Sequence, residues 1–312
     1  MTDHPLLHNR GIQVKVPGTS ANIGPGFDAF GLAFNLYNSF TFMEKDDGKL
    51  TIRGVSRKYQ GTNNLVYCAM QRVFNRVHHY PKGLYIYTET GVPVSRGLGS
   101  SATCIVGGLV GANALCGSPL SQDELFDIAV DMEGHPDNIA PAMFGGLVCS
   151  IGSHQHYQYI KKEVADSFAF HLIVPDFELS TKAARAALPN NIPRKDGVFN
   201  VAHATMTYLA LSEGRPDILK NSMNDKLHEP YRKHLIRSFD AVKRTALRYG
   251  ALGVCISGAG PTMLAITQKN NLSAFSEHMR DYLSKKEPNW LYYDLSPDNE
   301  GTTIDFNVEV DL

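Results

Sequence analysis

Residues 93–103, Pro-Val-Ser-Arg-Gly-Leu-Gly-Ser-Ser-Ala-Thr, constrain this chain more than any other stretch. Two glycines and two serines run straight into residues 101–116, which read as a helix stopped by Gly117. Such a loop turns consecutive backbone N–H groups outward, and the helix N-terminus adds partial positive charge. That combination binds phosphate. The helix keeps Gly107, Gly108 and Gly111, although an interior glycine costs about 1 kcal/mol relative to alanine. The helix is therefore expected to pack backbone-close on a neighbour and hold the loop rigidly.

Three phosphate loops can be compared with it. A Walker A loop needs a lysine that is absent here. Gly-Leu-Gly-Ser-Ser-Ala matches a dinucleotide pattern, G-x-G-x-x-A, which requires a second strand after the helix with an acidic residue about 20 positions on. In this chain the next element is instead Ser121-Gln-Asp-Glu124, a capping box that opens another helix to about Glu133. A protein-kinase loop would need H-R-D and D-F-G downstream, and neither occurs. A plain packing turn is the bland alternative for the loop taken alone.

The 312 residues, 43% of them hydrophobic, suffice for two domains with their own cores. A net charge of −1, from 30 basic and 31 acidic residues, provides no global field for nucleic acid or an anionic membrane. Neither is expected as a partner. The N-terminal MTDHPLLHNRG lacks the pattern of a signal peptide, and no apolar run approaches the roughly 20 residues of a membrane span. Five cysteines without a C-x-x-C pair fit reduced thiols, so a cytoplasmic location is expected.

Strands are expected over 12–16, 32–43, 50–53, 84–88, 145–151, 168–174, 252–257 and 262–267. Helices are expected over 65–77, capped by Thr62, and over 199–212, 216–223, 234–249 and 272–285. The polar loop at 152–158, with His154 and His156 as solvated side chains, sets a boundary between domains 1–155 and 156–312. The tail from about residue 289 is a candidate last strand that either half could receive, the N-terminal one included.

Other segments add chemistry. Residues 17–28, Pro-Gly-Thr-Ser-Ala-Asn-Ile-Gly-Pro-Gly-Phe-Asp, form a small-residue turn carrying Asn22 and Asp28, an amide and a carboxylate suited to an ammonium; an Asx-turn between strands is the alternative. Glu133-Gly-His-Pro-Asp-Asn138 packs four polar side chains beside an apolar run. It lacks the second histidine or thiolate of a zinc site, whereas one carboxylate helping to hold Mg²⁺ beside phosphates needs nothing more. Residues 257–262, Ser-Gly-Ala-Gly-Pro-Thr, read as a tight turn between strands. Arg185 and Arg232 are candidates for a bidentate grip on a carboxylate, or else ordinary surface residues.

Together, in this order, these segments resemble the GHMP small-molecule kinases. V-P-G-T-S-A-N-I-G-P-G-F-D from Val16, P-V-S-R-G-L-G-S-S-A from Pro93, E-G-H-P-D-N-I-A-P-A from Glu133, S-T-K-A-A-R from Ser180 and S-G-A-G-P-T from Ser257 carry the likeness over most of the chain. The N-I-G-P-G-F-D and H-P-D-N forms point to the branch acting on homoserine. The resemblance implies an α+β chain of two domains, the first like ribosomal protein S5 domain 2 and the second ferredoxin-like, with the active site between them. It implies ATP-dependent phosphorylation of L-homoserine to O-phospho-L-homoserine in threonine biosynthesis, with ATP and Mg²⁺ as cofactors; a sugar or mevalonate-type acceptor is the alternative. Pro93, Val94, Ser95, Arg96, Gly97, Leu98, Gly99, Ser100, Ser101, Ala102 and Thr103 would wrap ATP. Ser101 and Glu133 would hold Mg²⁺ and, with Asn138, form the catalytic set. Asn22, Asp28, His135, Asn138, Thr181, Arg185, Arg232 and Gly258 would surround homoserine. Asn138 stands near where several relatives carry an aspartate base, and an amide cannot take a proton at neutral pH. Whether the chain pairs into a homodimer is left open.

Overall fold

A computed structural model describes residues 10–153 and 156–310. The N-terminal segment through residue 9, and His154, lie outside the described residues. In chain order the elements are β1 (Arg10–Ala21), β2 (Phe30–Lys45), β3 (Leu50–Arg53), α1 (Leu65–Val77), β4 (Gly83–Thr90), α2 (Ser100–Leu115), α3 (Gln122–Glu133), α4 (Pro136–Phe144), β5 (Leu147–Ser153) and β6 (His156–Lys162). The second half adds β7 (Phe168–Val174), α5 (Thr181–Ala186), α6 (Arg194–Glu213), α7 (Pro216–Ser222), α8 (Glu229–Arg232), α9 (Phe239–Arg248), β8 (Gly253–Ile256), β9 (Met263–Gln268), α10 (Leu272–Lys286), β10 (Leu291–Leu295) and β11 (Thr303–Glu309). Among these, no helix is long and apolar enough to cross a membrane.

The first sheet runs β11-β1-β2-β4-β3, with β5 on the early half of β2 and β6 beyond it. The second, β10-β7-β9-β8, is antiparallel throughout, and α9 and α10 bury Phe239, Val242, Phe275 and Met279 against it. This is the two-domain α+β architecture expected. The change of sheet falls between Lys162 and Phe168, since Gly152 and Ser153 pair with Tyr157 and His156 within the β5–β6 hairpin. The tail gives two strands rather than one: β10 pairs with β7 and β11 with β1.

The glycines of α2 have the packing reason their composition implied. A Cβ at Gly107 would sit 2.4 Å from the Phe40 ring, one at Gly111 2.2 Å from Phe42, and one at Gly108 2.4 Å from the Val66 carbonyl of α1. The helix axis thus lies as close to β2 and α1 as the backbone permits, and its first turn is fixed there. β1 continues past Val16 to Ala21, because a register shift at Pro17/Gly18 absorbs the missing N–H of proline without ending the ladder. The cap of α1 is Asn64, whose side chain accepts the Tyr67 N–H, and not Thr62. Between the two sheets, Phe34 meets Phe170 at 5.5 Å within a core that also takes in Leu147, Leu211 and Leu264. Each such side chain contributes about 1.5–3 kcal/mol on burial, so the two halves share an apolar wall.

Candidate active site

The cleft between the halves has a volume of about 410 Å³. One wall is the loop before α2. Its conformation needs left-handed backbone at Ser95, Gly97 and Gly99. A Cβ on Gly97 would lie 2.3 Å from the Ser257 carbonyl, and one on Gly99 2.0 Å from Thr19 Oγ1, so both positions exclude any side chain. Four consecutive loop carbonyls are occupied on the protein side. Leu179 N–H donates to Ser95 O at 3.3 Å, Thr262 N–H to Arg96 O at 3.2 Å, Ser257 Oγ to Gly97 O at 2.6 Å and Thr19 N–H to Leu98 O at 3.1 Å. The amide hydrogens of residues 95–99 find no acceptor among the described residues. The loop therefore presents unpaired N–H groups at the start of a helix, an arrangement that grips phosphate oxygens.

Asn38 ties this wall down. Its Nδ2 donates to Thr103 Oγ1 at 2.7 Å, and its Oδ1 accepts from Gly91 and Val92 N–H at 3.0 and 2.9 Å. Of the residues named for this loop, Val94, Ser95, Arg96, Gly97, Leu98, Gly99, Ser100 and Ser101 line the cleft. Pro93, Ala102 and Thr103 do not: Ala102 and Thr103 point into the core, and their part is to hold the loop. Arg96 leans away, its Nη2 donating to Asp176 O at 3.3 Å.

The second wall comes from the junction of α3 and α4. Gly134 ends α3 in the left-handed conformation, and Pro136 opens α4 as its first residue. The polar segment beside the apolar run is thus the start of a helix. Ser101 Oγ donates to Glu133 Oε2 at 2.8 Å. Burial raises the pKa of Glu133, and the bond from Ser101 only partly offsets this. A half-buried carboxylate with a single hydroxyl partner is a place where a cation lowers the energy, and Mg²⁺ keeps several waters and needs few protein ligands. The donor set fits that ion; no cluster of three or more histidine, cysteine or carboxylate groups fit for a metal occurs among the described residues. Next to it, His135 Nδ1 lies 2.5 Å from Asp137 Oδ1. Burial works to lower the His135 pKa, but the bond and charge of Asp137 outweigh it and raise the value. Asn138 sits in the first turn of α4, its Oδ1 accepting Thr19 Oγ1 at 2.7 Å and its Nδ2 3.4 Å from Asp137 Oδ1.

The third wall is the turn at 22–28 facing α5 and α8. Arg185 and Asp28 form a bidentate pair, Nη1 to Oδ2 at 3.0 Å and Nη2 to Oδ1 at 2.9 Å. Arg232 is 2% exposed and donates to the carbonyls of Ala184 and Gly258, with His228 Nδ1 at 3.5 Å. No carboxylate stands within ion-pairing distance of it among the described residues, and burial, then the charge of Arg185, lower its pKa. Phe27 lies under both guanidinium groups, 5.0 Å from Arg232 and 5.9 Å from Arg185, and stacks on His228 at 5.1 Å. Asn22 lines the cleft and is fixed by one bond at each end of its amide: Nδ2 donates to Gly258 O at 2.8 Å and Oδ1 accepts from Asp28 N–H at 3.0 Å. Thr181 stands at the rim as the first residue of α5.

Apart from Pro93, Ala102 and Thr103, the sequence-named residues of all three walls therefore face one space. Three contributors carry no conspicuous mark in the sequence: Thr19, Asn38 and Phe27. Asn38 left a signal, an amide within a mostly apolar strand, whereas Thr19 and Phe27 stand in a segment whose polar members draw attention instead. Away from the charged walls the cleft ends in Val55, Tyr59, Leu65 and Val66, an apolar slot suited to a flat heteroaromatic ring.

Residues 64–146 match the family model of the GHMP kinase N-terminal domain, and residues 208–285 that of the GHMP kinase C-terminal domain. The chain is 45% identical over 294 residues to a homoserine kinase of Clostridium botulinum (strain Eklund 17B / Type B), covering 94% of this chain and 98% of that one. It is 43% identical over 293 residues, with the same coverage, to the homoserine kinase of strain Okra. Among solved structures, the homoserine kinase from Cytophaga hutchinsonii superposes with a TM-score of 0.85 at 27% identity, covering 98% of this chain and all of that one (100%).

Proposed function

The chain belongs to the homoserine kinase branch of the GHMP kinase family, and on that premise we propose that it phosphorylates the side-chain hydroxyl of L-homoserine with ATP. The product, O-phospho-L-homoserine, is an intermediate on the way to threonine. The observation that carries the choice of acceptor is Arg232: a buried guanidinium that faces the cleft and has no carboxylate partner of its own among the described residues. A charge in that position calls for an anion from the ligand.

The loop at residues 95–101 receives the triphosphate through its unpaired amides. Ser101 and Glu133 are the residues to hold Mg²⁺, which when bound supplies charge neutralisation to phosphate oxygens. The apolar slot takes the base. Arg185 and Arg232 clamp the amino-acid carboxylate and Asp28 takes the ammonium, with His135, Thr181 and the Gly258 turn closing the sides. Asn138, held by Thr19, orients the hydroxyl toward the phosphorus. Phosphoryl transfer passes through a loose transition state, so alignment matters more than early proton removal, and the proton departs to phosphate or water without a carboxylate base. The five thiols are all free, which suits work in the reducing cytoplasm.

A panel of L-homoserine, 4-hydroxybutyrate, 3-amino-1-propanol, galactose and mevalonate, each with ATP and Mg²⁺, tests the reading by ADP release and mass of the product. Homoserine is expected to be turned over far ahead of the rest. Equal or faster phosphorylation of the sugar or of mevalonate would overturn it.

A further inference from the structure

The free cleft contains an ion pair where a zwitterion is to bind. Asp28 and Arg185 are joined by two nearly parallel bonds of 3.0 and 2.9 Å, although they are separated by 157 positions and belong to different halves. Their side chains are 35% and 38% exposed, and both line the cleft. Neither is free to drift. Asp28 has left-handed backbone, with its N–H on Asn22 Oδ1. Arg185 is carried on α5 beside the Phe27 ring. Arg232, against the same ring, has no such partner among the described residues.

We propose that the Asp28–Arg185 pair competes with the substrate for both of its charges and so sets specificity for a zwitterion; the proposal rests on the homoserine reading. Binding exchanges ionic contacts and leaves net charge unchanged. The ammonium takes Asp28 and the carboxylate takes Arg185, so both members of the opened pair are satisfied again. The contact from the carboxylate to Arg232 is made without breaking anything and is the net gain. A ligand with only one of the two charges opens the pair but leaves Asp28 or Arg185 unpartnered. It is rejected by more than the contact it lacks, which is discrimination through a penalty as well as an attraction.

The test is a double-mutant cycle in kcat/KM for L-homoserine across the wild type, Asp28→Asn, Arg185→Gln and the double variant. If the pair must open, each single substitution loses one substrate contact but also removes the competitor. The double variant then loses more than the product of the two single losses, by about three- to fivefold, the worth of a partly exposed ion pair. Losses that simply multiply, or a double variant that loses less than the product, overturn the exchange. Absence of homoserine turnover by the wild type overturns the functional reading instead. Melting curves of all four proteins accompany the kinetics; where a variant melts below the assay temperature, Asp28→Ser and Arg185→Met close the same cycle.

Discussion

Thr19 Oγ1 and Asn138 Oδ1, 2.7 Å apart and buried, fix the orientation of the Asn138 amide at the cleft, and on the proposed function they set which end would meet the substrate hydroxyl. A valine at position 19 keeps the shape and removes the donor. The Thr19→Val variant should lose about 1 kcal/mol of alignment, roughly a fivefold fall in kcat, with KM for ATP unchanged; steady-state kinetics with each substrate varied in turn would check this. Arg185→Ala should chiefly raise KM for homoserine, by about tenfold, since a charge-assisted contact is worth about 1.5–3 kcal/mol less the pair it first has to give up. Unchanged homoserine kinetics in both Arg185→Ala and Arg232→Ala would remove the carboxylate clamp. Residue identity made much of this site legible, because Ser101, Glu133, Asn138 and the arginines are chemically conspicuous. Their pairing was not. That Asp28 faces Arg185, and that the Asn22 amide bonds the Gly258 carbonyl, depends on approaches across 157 and 236 positions that no local pattern encodes.

At the scale of elements, the loop before α2 can offer its amides to a phosphate only if its carbonyls stay on the protein side. Gly97→Ala places a Cβ 2.3 Å from the Ser257 carbonyl at a φ of 77°. The strain is about 1–3 kcal/mol, and the loop would have to lift off the turn at 257–260. KM for ATP should rise about tenfold or more, with a lower melting temperature, measured by ATP titration and by calorimetry. Periodicity read the long elements well: α1 begins and ends where its apolar face predicts, and the capping box of α3 is formed. It missed α4 because Pro136, Asp137 and Asn138 are turn formers in isolation. In context, a Pro at the first helical position after a left-handed Gly134 starts a helix. It also missed α5 and α8, which at 6 and 4 residues are too short to show a period, and β6, whose alternating Tyr157 and Tyr159 are spaced among polar residues.

Across the whole molecule, two buried histidines make stability depend on pH. Burial lowers the pKa of His171, against the pull of Asp294, and of His228, against that of Asp225. Both folded-state values lie below the ordinary 6.5. The stability tied to their neutral forms is therefore complete above that value and is lost as pH falls through it, by at most about 1.4 kcal/mol per pH unit for each. His135, raised by Asp137, acts in the opposite sense, with its contribution full below 6.5 and lost as pH rises through its folded value. The His171 contribution is read by difference: between about pH 7 and about pH 5.5 the melting temperature of His171→Gln should fall less, or rise more, than that of the wild type. Parallel profiles would show that this imidazole does not have to stay neutral.

Asp298 stands between the last two strands and binds the body of the protein from both ends of its backbone. Its N–H donates to Ala33 O, its carbonyl accepts Gly146 N–H, and its carboxylate takes Tyr37 OH at 2.6 Å. With β10 finishing one sheet and β11 the other, the sheet that holds β1 is completed last, only once synthesis has reached residue 309. A nascent chain stalled earlier would carry the outer edge of β1 bare, a template for pairing with its neighbours on the polysome. The half made first is therefore the half finished last, its outermost strand arriving after the second sheet is already whole.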